Sequence, residues 1–308
     1  VAVYSIKDLE KLSGIKAHTI RIWEQRYGIV TPQRTKTNIR YYDDEDLKLL
    51  LNVALLNKNG IKISRIAKMS PTEIAEKVSA ISEINFEYAT QLDALTISMI
   101  EMDEYKFDRI ISTNIHQMGF ERTMLEIIHP FLEKLSLLWL TGSINPAQES
   151  FMSYLIRRKI IVAIDQAPLS VGKDVRKFLI YLPEGERQEL TMLFMQYLIK
   201  SRGNLAIYIG QDMSLADVKD AYDIHRPDYI FTMISESFGK EPVQRYIEKL
   251  AATFPDAQLL LSGYQVVAQQ VKPFGNISIF KSLQQTMQLL DGLRVRQSRS
   301  GMMALSNS

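Results

Sequence analysis

The stretch "SIKDLEKLSGIKAHTIRIWEQRY" (residues 5–27) carries apolar Ile6, Leu9 and Leu12, a break at Ser13-Gly14, and then Ile15 and Ile20. Apolar residues three and four apart share one face of a helix, and a Ser-Gly pair interrupts it, so the spacing predicts two short helices joined by a tight turn. The second helix has Ile15, Ile20, Ile22 and Trp23 among its packing positions and offers Lys16, His18, Thr19, Arg21, Glu24 and Arg26 as polar candidates. Beyond it, "GIVTPQRTKTNIRYY" (28–42) sets Arg34, Lys36, Asn38 and Arg40 on extended residues around a turn with almost no acid, and reads as a wing.

Further along, "DDEDLKLLLNVALLNKNG" (43–60) begins a helix with acids that suit the positive end of its dipole and ends it at Asn59-Gly60. A second helix, "KISRIAKM" (62–69), closes this module near Ser70-Pro71. From 80 to 165 helical periodicity pauses only near Met102-Asp103, Gly119 and "TGSINP", which makes about four helices. The last of them starts on Asn145 as N-cap, Pro146 and a capping Gln148. Residues 178–293 then alternate the apolar runs "FLIYL", "LAIYI", "YIFTMI", "QLLL" and "ISIF" with helical segments, the pattern of a five-stranded parallel sheet covered on both faces. The expected organisation is a winged helix-turn-helix domain (1–75), a four-helix bundle (80–167), a Rossmann-like or flavodoxin-like α/β domain (175–299) and a disordered tail (300–308).

Charge separates the front from the rest. Residues 1–75 hold 13 Lys/Arg against 8 Asp/Glu, and the remainder holds 24 against 27, so a basic module precedes a mildly acidic body and points to a polyanionic partner for the front. With no cysteine and only His18, His116, His129 and His225, the chain has no thiolate chemistry and no tight metal-ligand spacing, and no metal site is expected. No run approaches the roughly 18 apolar residues of a membrane span, and the first residues lack a signal-peptide pattern, so the expectation is a soluble cytoplasmic protein with no membrane partner.

Over residues 3–75 the sequence closely resembles the MerR family of transcription regulators: the Ser-Gly turn, "TIRIWEQRYG", the basic wing ending "RYY" and the acidic start of the next helix all match. The resemblance implies a helix that enters the major groove and a wing that holds flanking phosphates of promoter DNA. It makes Lys16, His18, Thr19, Arg21, Arg26, Arg34, Lys36, Asn38 and Arg40 the candidate DNA-contacting residues, Arg21 foremost, with Tyr41 buttressing the wing.

The body resembles that of the light-sensing, adenosylcobalamin-dependent repressors of carotenoid synthesis, which place a four-helix bundle and a cobalamin-binding α/β domain after a MerR head. The resemblance implies a Trp, nine residues and Glu-His in the bundle; here Trp139 precedes Glu149 and Ser150. It also implies an acid, any residue, His, two residues and Gly after the first strand of the sheet; here stand Glu186, Gln188 and Thr191. Of the later turns, "SES" keeps Ser235, and "LSGY" keeps Ser262 and Gly263 but adds Tyr264. An amide is a poor cobalt ligand beside imidazole, so these are degenerate cobalamin-site positions and no cofactor is expected.

The reading is a sequence-specific DNA-binding regulator and repressor, not an enzyme and without catalytic residues, whose body serves oligomerisation and sensing without histidine-ligated cobalamin. A MerR-like head reads one half-site, so self-association as dimer or tetramer is expected. The alternatives are a regulator that takes cobalamin in another mode, or one whose body binds an unknown small molecule or only a protein partner. A cobalamin-dependent enzyme subunit fails on the missing cobalt ligand and on the presence of the head.

Overall fold

The computed structural model describes residues 4–34, 40–84, 88–140, 142–168, 172, 174–235 and 242–294. The chain forms two compact units, Val1–Ile156 and Arg157–Ser308. The head and most of the bundle thus share the first unit.

In the head, α1 (Ile6–Ser13) starts on a reciprocal Ser5/Asp8 capping box and stops at Gly14, whose φ of +69° is the left-handed cap that glycine adopts without strain. The recognition helix α2 (Ala17–Tyr27) follows and ends on Gly28. A two-stranded ribbon pairs β1 (Gln33–Arg34) antiparallel with β2 (Arg40–Tyr41). The helix α3 (Asp44–Lys58), capped by Asp43 and Asp46, buries Leu47, Leu50, Leu51, Val53, Ala54, Leu55 and Leu56. Each such side chain removed from water contributes ~1.5–3 kcal/mol, so α3 is the axis of the head. The short α4 (Ile63–Ile66) covers less of "KISRIAKM" than the periodicity suggests.

At Ser70-Pro71 the expected end of the module is a helix start. Glu73 accepts from the Ser70 amide (2.7 Å) while the Glu73 amide donates to Ser70 Oγ (3.2 Å), and Pro71 takes the first helical position of α5 (Pro71–Ile84). The pair reads as punctuation in either direction, and the acid three residues on decides it. The four longer helical segments follow: α6 (Tyr88–Glu101), α7 (Glu104–Met118), a continuous run made of α8 (Phe120–Thr123), a π-helical stretch Met124–Ile128 and α9 (His129–Leu140), and α10 (Pro146–Gln166). Asn145 and Gln148 cap α10 reciprocally at 2.9 and 3.1 Å, as their spacing predicts.

The second unit alternates β3 (Lys177–Tyr181), α11 (Glu189–Ser201), β4 (Leu205–Tyr208), α12 (Leu215–His225), β5 (Tyr229–Met233), α13 (Val243–Thr253), β6 (Gln258–Ser262), α14 (Tyr264–Ala268), β7 (Ile277–Ile279) and α15 (Leu283–Gly292). All strand pairs are parallel in the order β4-β3-β5-β6-β7, which is the flavodoxin-like order with its reversal between β3 and β5. The expected tail (300–308) lies outside the described residues.

Candidate nucleic-acid interface and the vacated strand-end rim

Glu10 of α1 fixes the start of the recognition helix. Its carboxylate accepts the Ala17 amide at 3.2 Å, one of the donors a helix N-terminus leaves unsatisfied, and pairs with Lys16 Nζ at 3.2 Å. These two bonds, the Ala17 amide first, hold the Glu10 carboxyl below its usual range. From the helix so oriented, Lys16, His18, Arg21 and Arg26 stand exposed, while Ile20 and Trp23 are buried in the head. Ile22, expected among the packing residues, is 43% exposed and lies on the outward face. Thr19 Oγ1 lies 3.3 Å from His18 Nε2 on the same face.

The wing is tied back to this helix. Arg40 Nε donates to Glu24 Oε1 at 3.4 Å, with Glu24 largely buried, so β2 is held against α2. Across the ribbon Tyr41 Oη donates to Gln33 Oε1 at 2.7 Å, a brace between two paired residues. Arg34 lies exposed on β1. Lys36 and Asn38 lie outside the described residues.

In the second unit the loops at the strand C-terminal ends are laced together. The Gly185 amide donates to Asp212 Oδ1 (2.9 Å), joining the "PEGERQEL" turn to the loop after β4, and Asp212 takes a positive φ of 57° to reach it. The buried Glu186 accepts the Ser235 amide at 2.8 Å through Oε1, directly across the β3/β5 reversal. The Tyr264 amide donates to Ser235 Oγ (3.4 Å), and Ser262 Oγ donates to the Phe280 carbonyl (3.2 Å). Gly263 is required by the fold: at φ +111° a Cβ there would lie 2.3 Å from the Ile234 carbonyl oxygen. Tyr264, the residue added after Gly263, is 71% exposed.

Gln188 is the half-buried N-cap of α11 and makes no side-chain cap bond. Thr191 sits half-buried in the first turn, its amide on the Gln188 carbonyl at 3.1 Å. Next to Gln188, Glu189 pairs with Arg157 Nη2 at 2.7 Å. The Tyr208 hydroxyl is shielded and has no hydrogen-bond partner among the described residues; burial, then the Glu189 charge, pushes its pKa up to about 12. In the first unit Trp139 is 46% exposed, Ser150 is exposed, and Glu149 accepts from Ser153 Oγ at 2.9 Å.

Residues 4–73 match the family model described as MerR HTH family regulatory protein, and residues 91–163 match the B12 binding domain. The HTH-type transcriptional repressor CarH of Myxococcus xanthus is 25% identical over 82% of this chain and 85% of its own length. CarA, a repressor from the same organism, is 24% identical over 85% and 84%. The chain is a DNA-binding regulator with a MerR-type head. A solved cobalamin-binding protein from Desulfitobacterium hafniense DCB-2 aligns over 68% of the regulator and 99% of that chain, with 12% identity and a TM-score of 0.34.

The regulator's donors can be set against a cobalamin whose cobalt takes histidine. An amide (Gln188) and a hydroxyl (Ser150) occupy the two places where the resemblance puts imidazoles. The second unit's one histidine, His225, ends α12, and its carbonyl receives Lys177 Nζ (3.4 Å) at the start of β3, the opposite end of that strand from Gln188. Among the described residues no group of three His, Asp or Glu could hold a metal ion, and no helix is long and apolar enough to cross a membrane. Neither matching position offers the imidazole that a histidine-ligated cobalt takes.

Sequence reasoning missed Glu10 as a cap and took Glu24 only as a polar candidate of the second helix, not as the wing's partner. Both act across elements, on Ala17 and on Arg40, so no local pattern marks them.

Proposed function

We propose that this regulator represses by binding promoter DNA sequence-specifically through α2 and the wing, as an oligomer presenting at least two heads. The observation that carries the reading is the outward face of α2: Lys16, His18, Arg21 and Arg26 stand exposed on a helix whose first turn is capped by Glu10. Arg21 reads base edges, Lys16, Arg26 and Arg34 hold phosphates, and Arg40 sets the angle of the wing through Glu24. The body takes no histidine-ligated cobalamin, because neither matching position offers an imidazole. It serves self-association and whatever sensing the regulator performs.

A duplex selected from a random pool by the full chain provides the test. Arg21→Ala is expected to lose about 1–3 kcal/mol on that duplex and to relax base choice at one position. Arg40→Ala is expected to weaken selected and shuffled duplexes alike. Light scattering on the same complex is expected to give two or four chains per duplex. Undiminished selectivity in Arg21→Ala, or a single chain per duplex, would sink the reading.

A further inference from the structure

The turn between α1 and α2 is held by a lysine of the head that is itself paired with a carboxylate outside it. Lys58, at the end of α3, donates from Nζ to the Ser13 carbonyl at 3.0 Å and to Asp93 Oδ2 at 2.7 Å. The Ser13 carbonyl is among those that a helix C-terminus leaves without an intrahelical partner, and a lysine is a favourable donor for it. The same ammonium would stand 3.3 Å from a Cβ at Gly14, so it rests on the residue where the chain turns into the recognition helix. Asp93 belongs to α6, within the stretch matched as a B12 binding domain. Its other oxygen faces Lys134 Nζ of α9 at 3.6 Å, and Lys134 in turn donates to the buried Thr96 hydroxyl at 2.8 Å. Burial disfavours the Lys134 charge and pushes its pKa down, with Asp93 opposing the shift. One carboxylate is thus shared between a lysine of the bundle and a lysine of the head.

We propose that Asp93 is a positioning residue for DNA reading: from the bundle it orients Lys58, and Lys58 fixes the Ser13-Gly14 turn that aims α2. A second grip lies nearby, where Ser143 Oγ, from the loop before α10, donates at 3.3 Å to Asp8 in the α1 capping box. A change in the packing of α6 against α9 would reach the recognition helix through these side chains without any movement of α2's own core. The inference rests on α2 being the reading helix.

The experiment uses the full chain, a duplex selected from a random pool by the wild type, and a shuffled duplex, at a temperature where each variant is folded by circular dichroism. Lys58→Met and Asp93→Asn are each expected to lower the selected-to-shuffled affinity ratio about fivefold or more. The double variant is expected to fall no further than Lys58→Met alone, because the two act in series. Asp93→Glu, which keeps the charge, is expected to recover part of the ratio, and it replaces Asp93→Asn in the cycle if the latter does not fold. Lys134→Met disturbs the same bundle interior but leaves the Asp93–Lys58 pair, so it is expected to keep the ratio. A wild-type ratio in both Lys58→Met and Asp93→Asn, while Arg21→Ala loses it, would overturn this inference alone. A ratio unchanged in all three would overturn the assignment of α2 as well. Loss in Lys134→Met equal to that in Asp93→Asn would reduce Asp93 to a stabiliser of the bundle and overturn the positioning role.

Discussion

At the scale of single residues, the second unit holds a polar group that stability does not require. Tyr208 keeps its hydroxyl shielded beside the Arg157–Glu189 pair without a bond of its own among the described residues. A shielded hydroxyl that makes no bond contributes nothing that a phenyl ring would lose, so Tyr208→Phe is expected to be neutral or stabilising within ~1 kcal/mol at pH 7 by denaturant unfolding. Alkaline pH supplies the sign test. The folded pKa is raised from 10.0 to about 12, so the unfolded chain ionises first and the folded state holds the extra proton between those values. Stability is then fully present below pH 10 and falls as pH rises through the folded value, with Tyr4, Tyr42 and Tyr181 shifted in the same direction. Tyr208→Phe is expected to show a shallower loss over pH 10–12 than the wild type; an identical slope would mean that Tyr208 ionises as it does in the unfolded chain.

At the scale of elements, the helix that joins head to bundle depends on a cap. Ser70 and Glu73 close a reciprocal box at the start of α5, so Ser70→Ala is expected to cost ~1 kcal/mol in thermal or urea unfolding, and Ser70→Asp to cost little. Loss of nothing in Ser70→Ala would show that packing alone holds the first turn. This same helix start was the least legible place in the sequence, since Ser-Pro both ends and begins helices. Elements with a strong local signal were legible almost to the residue: β3 at "FLIYL" and α10 from its Asn145 cap. Their signals are local, either an apolar run or a cap three residues from its partner. What could not be read is what crosses the chain. Glu10 capping Ala17, Glu186 reaching Ser235 and Lys58 reaching Asp93 join residues 7, 49 and 35 apart, and only the fold brings them together. The rim glycine shows the converse error of meaning: Gly263 matches a ligand-binding pattern, yet its φ and its approach to Ile234 explain it without any ligand.

At the scale of the whole molecule, a sensor must bind its effector better in one state than in the other, and the site is where that difference arises. In the repressors that this chain resembles, cobalt ligation by imidazole supplies it. Here the β3/β5 crevice has Glu186 bonded across it to the Ser235 amide, and Gln188 stands at the N-cap position of α11 where the resemblance puts an imidazole. On the proposed reading, a carboxylate tied to the opposite loop and an amide at position 188 offer cobalamin no imidazole donor, and so no gain that depends on light. DNA affinity of the full chain is therefore expected to be the same with and without adenosylcobalamin, in darkness and after illumination, and no shift in the cobalamin absorption spectrum is expected at micromolar protein. The converse substitution is the stronger measurement. Gln188→His restores the imidazole and Thr191→Gly removes bulk from the first turn of α11. The double variant is expected to take up cobalamin with a spectrum of histidine ligation, and to do so more weakly when Ser235 is changed to Pro, which removes the amide that orients Glu186. A wild-type chain that bound cobalamin as tightly as the double variant would show that ligation at position 188 was never the deciding contact, and with it would fall the reading of this rim as a vacated metal site.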